Sequence, residues 1–289
     1  PAKLYDHDPS YLTEYALAAF ANQKYDVSKQ IAAFGLSKKP RNAGYNRLAL
    51  YNSFELKQYD EAANYVDALV NKSDSVELTA NDYKYAGLVY TALKQYDNAI
   101  SYFNKQLEVT TDAAKKADVI KSLSDSYKGK GDFAKSLELY EQYLQMNPKV
   151  GINDYNGLAN IYRNQAANQQ GADQVASVNK AVEIYKTMEE KYPSNADFCN
   201  FMAARTLGLI DATQAKGLAR PYYEKLAKLV EEKGVKDNSD KARLSEAYTY
   251  LGIYLYKIKN EAAAAKPYFE KLLQLDPENA TAKQVLETY

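Results

Sequence analysis

Few residues of this chain have the type and spacing that catalysis or metal binding requires. His7 has acidic neighbours but no second His or Cys at ligand spacing, so we interpret it as an exposed surface side chain. Cys199 has no nearby residue to act as its base, which favours a structural role. Residues 128–132 are rich in lysine and glycine but lack phosphate-loop spacing, and they indicate a turn. The acidic pairs at 189–190 and 231–232 lie among lysines and indicate solvated charge. We therefore predict no enzyme activity, no metal site and no cofactor.

The composition excludes several classes of partner. The chain has 289 residues with 37 basic and 37 acidic side chains, so bulk charge provides no attraction to nucleic acid. No run of about 18 apolar residues occurs, which predicts no membrane insertion. The single cysteine excludes an internal disulfide. Location and oligomeric state stay open on this basis.

A short motif of a polar residue, an aromatic residue and usually an aspartate recurs along the first half of the chain. The aromatic residues are Tyr25, Tyr59, Tyr96 and Phe133, at spacings of 34, 37 and 37 residues. A period close to this length is typical of stacked helical hairpins. The period predicts an all-α fold in which each repeat is two antiparallel helices, which we call A and B.

The chain resembles the tetratricopeptide repeat family over nearly its whole length. That family has small residues where helices A and B meet, at repeat positions 8 and 20, and a large apolar residue at position 24. Position 20 is small throughout, at Ser28, Ala62, Ala99, Ser136, Ala181, Ala219 and Ala265. Position 8 is small except at Leu50 and Met202, so we expect the second and sixth hairpins to splay. The resemblance implies a right-handed α-α superhelix of about seven hairpins plus a C-terminal capping helix.

The repeats predict the following domain organisation. Residues 1–9 form a leader, residues 10–278 form one solenoid, and residues 279–289 form the capping helix. The predicted repeats are about 9–42, 43–76, 80–113, 117–150, 152–194, 195–233 and 244–278. Because the chain begins without methionine, and the first hairpin lacks a preceding helix, we expect it to be a piece of a longer protein.

Three local features follow from the residue types. Asp26, Asp60 and Asp97 stand where helix B starts, and we expect their carboxylates to cap it. The fifth repeat has about ten extra residues, which we expect to lengthen its helix A to near Gly171. Proline two residues after position 20 predicts that the B helices of the sixth and seventh repeats start late or bend.

In the family the A helices line a concave groove that binds the partner, so the resemblance implies which side chains contact a ligand. Those of the middle repeats are basic or amide-rich, and those at both ends are aromatic. The candidate contacts are Arg47, Tyr51, Phe54, Lys84, Lys121, Asp125, Lys128, Asn156, Asn160, Arg163, Asn200, Tyr250 and Tyr256.

These residues predict a non-catalytic scaffold that binds a peptide or protein partner, with an acidic partner suited to the lysines. Asn160 and Asn200 match the two asparagines of the family's carboxylate clamp, but the remaining clamp positions do not match. One alternative is capture of a small molecule or glycan on the aromatic ends of the groove. Another is self-assembly. The tyrosine-rich, tryptophan-free composition resembles bacterial multi-repeat proteins of the periplasm or cell envelope, and a cytoplasmic location stays open.

Overall fold

The computed structural model describes residues 9–288, and their regular structure is helical. The helices are α1 (Pro9–Ala21), α2 (Tyr25–Lys38), α3 (Ala43–Glu55), α4 (Tyr59–Asp67), α5 (Ala80–Ala92), α6 (Tyr96–Val109), α7 (Ala113–Lys130), α8 (Phe133–Met146), α9 (Ile152–Ala167), α10 (Gly171–Lys191), α11 (Ala196–Leu207), α12 (Arg220–Lys233), α13 (Asn238–Ile253), α14 (Ala262–Leu275) and α15 (Ala280–Leu286). Successive helices pair as A and B, from α1–α2 to α13–α14, and α15 follows. The all-α prediction is confirmed.

The helices group into two compact units. Unit 1 ends at Pro148 and contains α1 to α8, and unit 2 begins at Lys149 and contains α9 to α15. The boundaries of the individual repeats stay a prediction.

In each of the first four hairpins the turn between helices A and B has the same form. One residue there adopts a positive φ, at Gln23 (60°), Lys57 (60°), Lys94 (58°) and Gly131 (89°). Helix B then begins at the recurring aromatic residue. Residues 128–132 are therefore the end of α7 and its turn, as the sequence indicates.

The small residues of the repeat lie buried where helices A and B cross. A Cβ atom on Gly87 would lie 2.5 Å from the ring of Phe103, and one on Gly252 would lie 2.8 Å from the ring of Phe269. Ser28 in α2 instead donates a hydrogen bond of 2.8 Å to the carbonyl of Ala16 in α1. Position 8 is thus small because the aromatic residue of position 24 fills the adjacent space.

The two exceptions at position 8 have different explanations. Leu50 is fully buried in the same cluster as Val66, so a small residue at position 24 compensates for the large one at position 8. Met202 is only partly buried, while the next residue, Ala203, lies in the core. The register of the sixth A helix is therefore shifted by one residue from our alignment. The expected splaying of these two hairpins thus loses its cause.

The predicted carboxylate caps of the first three B helices are wrong. The N-cap residues of α2, α4 and α6 form no side-chain capping hydrogen bond, and the aspartates lie inside the first turn. Only Asp132 of the fourth hairpin caps its helix, by accepting from the backbone amide of Lys135 at 3.1 Å. The other three carboxylates lie in the first turn, where the helix dipole favours a negative charge, and Asp97 also pairs with Lys130 at 2.5 Å.

The extra residues of the fifth repeat lengthen helix B, so the prediction of a longer helix A is wrong. Helix α9 ends at Ala167, whereas α10 has 21 residues and begins at Gly171. Side chains of the first turns of α10 bond back to the end of α9. Gln174 donates to the carbonyl of Ala166 at 3.1 Å, and Ser177 donates to Gln169 at 2.7 Å.

The two prolines act differently. Helix α12 begins at Arg220 with Pro221 in its first turn, so the predicted late start is confirmed there. Helix α14 begins at Ala262 and continues through Pro267, so a late start is wrong for the seventh repeat. Only one hydrogen bond of the first turns is lost at this position, and the preceding alanines favour the helix.

Candidate functional site

Arg47 and Tyr51, both predicted ligand contacts, are bound to a buried carboxylate of the next hairpin. Arg47 Nε lies 2.6 Å from Asp82 Oδ1 and its Nη2 lies 2.8 Å from Oδ2. The Tyr51 hydroxyl donates to Asp82 Oδ1 at 2.7 Å, and the backbone amide of Thr79 donates to Oδ2 at 2.8 Å. These side chains hold α3 against α5, so their polar groups are not available to a ligand.

The electrostatics of this cluster agree with its geometry. Burial acts to raise the pKa of Asp82, but hydrogen bonds from Arg47, Thr79 and Tyr51, together with the Arg47 charge, outweigh burial and lower it. Burial and the hydrogen bond to Asp82 raise the pKa of Tyr51 far above its ordinary value. The carboxylate is therefore charged and the phenol neutral at ordinary pH.

Four half-buried aromatic rings on α1, α3 and α5 form a continuous row, which we call the aromatic strip: Phe20, Tyr51, Phe54 and Tyr85. The ring centroids of Phe20 and Tyr51 are 6.0 Å apart, and those of Tyr51 and Tyr85 are 4.0 Å apart in a stacked arrangement. Phe54 packs edge-on against Tyr85 at 5.5 Å. The sequence predicted Tyr51 and Phe54 as contacts but did not place them in one row with Phe20 and Tyr85.

Lys84 lines an open groove of about 490 Å³ between the N-terminal halves of α5 and α7. The groove also contains Leu88, the half-exposed Val109 and Lys115. Within residues 9–288, neither Lys84 nor Lys115 has an ion-pair partner. We call this feature the α5–α7 groove. Its remaining walls are polar and include Thr79, Asn81, Gln106, Thr111, Asp112, Asp118 and Ser122.

The other charged candidates of unit 1 have partners. Lys128 forms an ion pair of 2.5 Å with Asp125 on the same helix. The Lys121 ammonium lies 4.7 Å from the ring centroid of Tyr143 and 3.4 Å from its hydroxyl. The charged groups of Lys121, Asp125 and Lys128 all lie on α7 and contact partners within the protein. Lys84 and Lys115 form no ion pair within residues 9–288.

In unit 2, the three candidates on α9 form a polar cluster with α10. Arg163 Nη1 donates to Asn160 Oδ1 at 3.2 Å, and the Tyr185 hydroxyl lies 3.5 Å from Asn156 Oδ1. Among the described residues the Arg163 Nε is buried without a hydrogen-bond partner. Burial is the main cause of the raised pKa of Tyr185, and the Arg163 charge opposes it.

Asn200 does not lie at an open surface, so the structure does not support it as a ligand contact. Its side chain is buried and donates to the carbonyl of Ala196 at 2.8 Å and to Glu189 at 3.1 Å. The shifted register of α11 explains this burial, because Cys199 and Ala203 of the same predicted face are buried too. Burial raises the pKa of Cys199 to about 11, which disfavours the reactive thiolate.

Tyr250 and Tyr256, the aromatic candidates of the seventh repeat, pack against neighbouring rings. The Tyr250 ring lies 4.7 Å from that of Tyr223 and 6.2 Å from that of Tyr254. Burial and the charge of Asp211 raise the pKa of Tyr250 to about 12. Tyr256 packs edge-on against Phe269 at 6.4 Å. Neither arrangement leaves an isolated ring on which a sugar stacks.

A second Arg–carboxylate–Tyr cluster joins A helices in unit 2. Arg205 on α11 donates two hydrogen bonds, of 2.8 and 2.9 Å, to Glu246 on α13, and Tyr223 donates to the same carboxylate at 2.8 Å. Sequence reasoning missed both clusters. The one available signal was Thr79 with Asp82 three residues later, the pattern of a capping box, which marks the start of α5.

Other kinds of site lack support in residues 9–288. No group of His, Cys, Asp or Glu there could hold a metal ion, and His7 lies outside these residues. None of the described helices combines the length and apolarity that crossing a membrane requires.

Two family models match the chain, and both are described as tetratricopeptide repeat. They match residues 77–149 and residues 245–279. The comparison with curated proteins finds no match.

Solved structures share the fold. The C-terminal part of a TPR repeat-containing protein from Cytophaga hutchinsonii is 22% identical with a TM-score of 0.72, and the match covers 95% of this chain and 99% of that one. A tetratricopeptide repeat protein from Parabacteroides merdae is 14% identical with a TM-score of 0.56, over 96% and 97% of the two chains. The MamA protein is 16% identical with a TM-score of 0.51, over 65% and 93%. At these identities the likeness concerns the fold alone.

Proposed function

Because this chain is a tetratricopeptide repeat protein, we propose that it is a non-catalytic scaffold that binds a polypeptide segment of a protein partner at the α5–α7 groove. Tetratricopeptide repeats generally mediate interactions between proteins, which supports the protein-binding part of this proposal. The observation that carries the location is the pair Lys84 and Lys115. Both line one groove, and neither has an ion-pair partner within residues 9–288.

The chemistry of the groove suits an extended segment that contains acidic residues. Lys84 and Lys115 provide two ammonium groups that a partner carboxylate can reach, while Leu88 and Val109 provide apolar surface between the helices. Asn81 and Gln106 carry side-chain amides, which can pair with the backbone of an extended chain. The groove also contains the carboxylates of Asp112 and Asp118, and that of Asp112 caps α7 by accepting from the backbone amide of Lys115 at 2.8 Å.

The comparable groove of unit 2 is a poorer candidate. It measures about 410 Å³ and is lined by charges that neutralise one another. Lys233 pairs with Asp197 at 2.7 Å and with Asp240 at 2.9 Å, and Arg243 pairs with Asp197 at 2.8 Å. A ligand would have to displace these contacts, which costs free energy that the α5–α7 groove does not demand.

Selection from a random 16-residue peptide library on the immobilised protein tests this function. We expect enriched peptides to be rich in Asp and Glu, and to bind the Lys84→Glu/Lys115→Glu variant about 10- to 100-fold more weakly, since two charge reversals cost about 1–3 kcal/mol. The control Lys180→Glu/Lys228→Glu reverses the same charge at exposed side chains of α10 and α12. Equal affinity for both variants, or no enrichment, would refute the proposed groove.

A further inference from the structure

The aromatic strip presents a rigid apolar surface on the A helices of unit 1. Its rings are linked from α1 to α5 by centroid distances of 6.0, 4.0 and 5.5 Å. Leu17 precedes Phe20 by three residues on α1 and so lies on the same side of that helix, where it is 52% exposed. The strip is therefore extended by an aliphatic side chain that the fold leaves open to solvent.

The polar atoms of the strip are already used within the protein. The Tyr51 hydroxyl donates to Asp82, and the Tyr85 hydroxyl donates to Glu55 at 2.8 Å. With both hydroxyls held in this way, the strip offers a ligand mainly carbon. The rings themselves are held by their stacking and edge contacts, and fixed aromatic rings lose little conformational entropy when a partner binds, which suits them to recognition.

The ring geometry also decides what kind of ligand fits. Sugars bind aromatic residues through an exposed ring face, but the faces of Tyr51 and Tyr85 cover each other, with an interplanar angle of 19°. The rings of Phe54 and Tyr85 meet edge to face, at an interplanar angle of 84°. Rims and edges of rings are complementary to apolar side chains, which pack without needing a flat face.

The strip and the groove of the proposed function share helix α5. Tyr85 of the strip lies on α5 next to Lys84 and three residues before Leu88, and both of these line the α5–α7 groove. A segment that crosses the A helices from α1 toward α7 therefore meets apolar surface first and unpaired ammonium groups second. This order of apolar surface and positive charge defines the complementary chemistry of the partner.

We propose that the aromatic strip, with Leu17, docks a polypeptide segment whose apolar side chains precede or follow its acidic residues, so that one partner segment contacts the strip and the α5–α7 groove together. The inference rests on the proposed function and adds to it the apolar half of the recognised sequence. The occupant is a segment of a protein partner, and a glycan is the alternative that the test must exclude.

The test uses the peptides selected from the random library together with a glycan array. We expect the enriched peptides to combine a cluster of Leu, Ile, Phe or Met with the acidic residues. Leu17→Asp should weaken their binding about tenfold, since it places a charge where an apolar contact forms. Because Leu17 is 52% exposed, this change should leave folding intact, which circular dichroism checks. The matched control is Val235→Asp, at an exposed apolar side chain of unit 2, and it should bind like the parent.

A second variant separates ring packing from hydroxyl recognition. Tyr85→Phe keeps the ring and removes only the hydroxyl, so the inference predicts unchanged peptide affinity. Peptides that respond to the Lys84→Glu/Lys115→Glu variant but not to Leu17→Asp would overturn the strip and leave the proposed function standing. Loss of binding in Tyr85→Phe, or glycan binding that Leu17→Asp abolishes, would also overturn it.

Discussion

Replacing Asp82 with alanine removes a buried carboxylate that α3 and the start of α5 share. The bidentate contact with Arg47 is lost, as are the acceptors of the Tyr51 hydroxyl and of the Thr79 amide. The side chain of Asp82 is 1% exposed and that of Arg47 is 29% exposed. Arg47 can therefore recover part of its hydration when the carboxylate is removed. The position of the carboxylate itself, beside α5, is buried.

The expected cost follows from these contacts. Removing one partner of a buried ion pair costs about 3–5 kcal/mol, and the lower end applies here because Arg47 reaches solvent. Loss of the capping interaction adds about 0.5–2 kcal/mol, and a buried phenol without an acceptor adds about 1–3 kcal/mol. The three effects share one side chain and are not additive. We expect the free energy of unfolding of unit 1 to fall by about 3–5 kcal/mol.

Guanidinium unfolding followed by circular dichroism measures this change, and hydrogen exchange with mass spectrometry locates it. Peptides from α3 and α5 should lose protection, while peptides from α11 and α13 should not. The control is Asp97→Ala, which removes a first-turn aspartate whose side chain is 80% exposed and pairs with Lys130, which is 46% exposed. If Asp82→Ala costs no more than this control, the carboxylate does not hold α3 to α5.

Three further outcomes follow from the packing and charge of unit 1. Gly87→Ala should destabilise by about 1–2 kcal/mol, because its Cβ would lie 2.5 Å from the Phe103 ring, and adding Phe103→Leu should restore most of the loss in thermal unfolding. Lys94→Gly should stabilise the protein by about 0.5–1 kcal/mol, because a φ of 58° strains any residue that has a Cβ atom. Gly131→Ala, at a φ of 89°, should destabilise it for the same reason. Equal effects of the two substitutions on stability would contradict this turn geometry. Because the pKa of Asp82 is lowered by folding, its contribution to stability should be complete above its unfolded value near pH 4 and be lost as the pH falls through the folded value. Acid titration of Asp82→Asn should lack this loss, and an unchanged acid transition would refute the assignment.

The features that sequence reasoning placed correctly depend on contacts between residues close in the chain. The recurring aromatic residue begins α2, α4, α6 and α8, and positions 8 and 20 are twelve residues apart in each of those hairpins. A turn of constant length brings such residues together whatever the neighbouring hairpins do. The helical class and the hairpin order could therefore be predicted from one sequence.

The candidate site was predicted less well, because it depends on which side chains meet between hairpins. Arg47 and Tyr51 stand at exposed positions of the repeat pattern, yet Asp82 of the following hairpin takes up their polar groups. Lys84 stays a candidate because no such partner reaches it within the described chain. Nothing in the spacing of a single repeat distinguishes these two outcomes.

The seventh hairpin shows the same division. Thirteen positions separate Gly252 from Ala265, and α13 ends in a π-helical turn at Tyr254–Ile258 that takes up the additional residue. The sequence by itself determined that this chain folds as helical hairpins with small residues at their crossings, since those features arise within about 34 residues. The tertiary structure alone decided where the additional residues are accommodated, in which register α11 lies and which charges are paired. Those outcomes depend on the lowest packing free energy between separate hairpins, which no local pattern encodes.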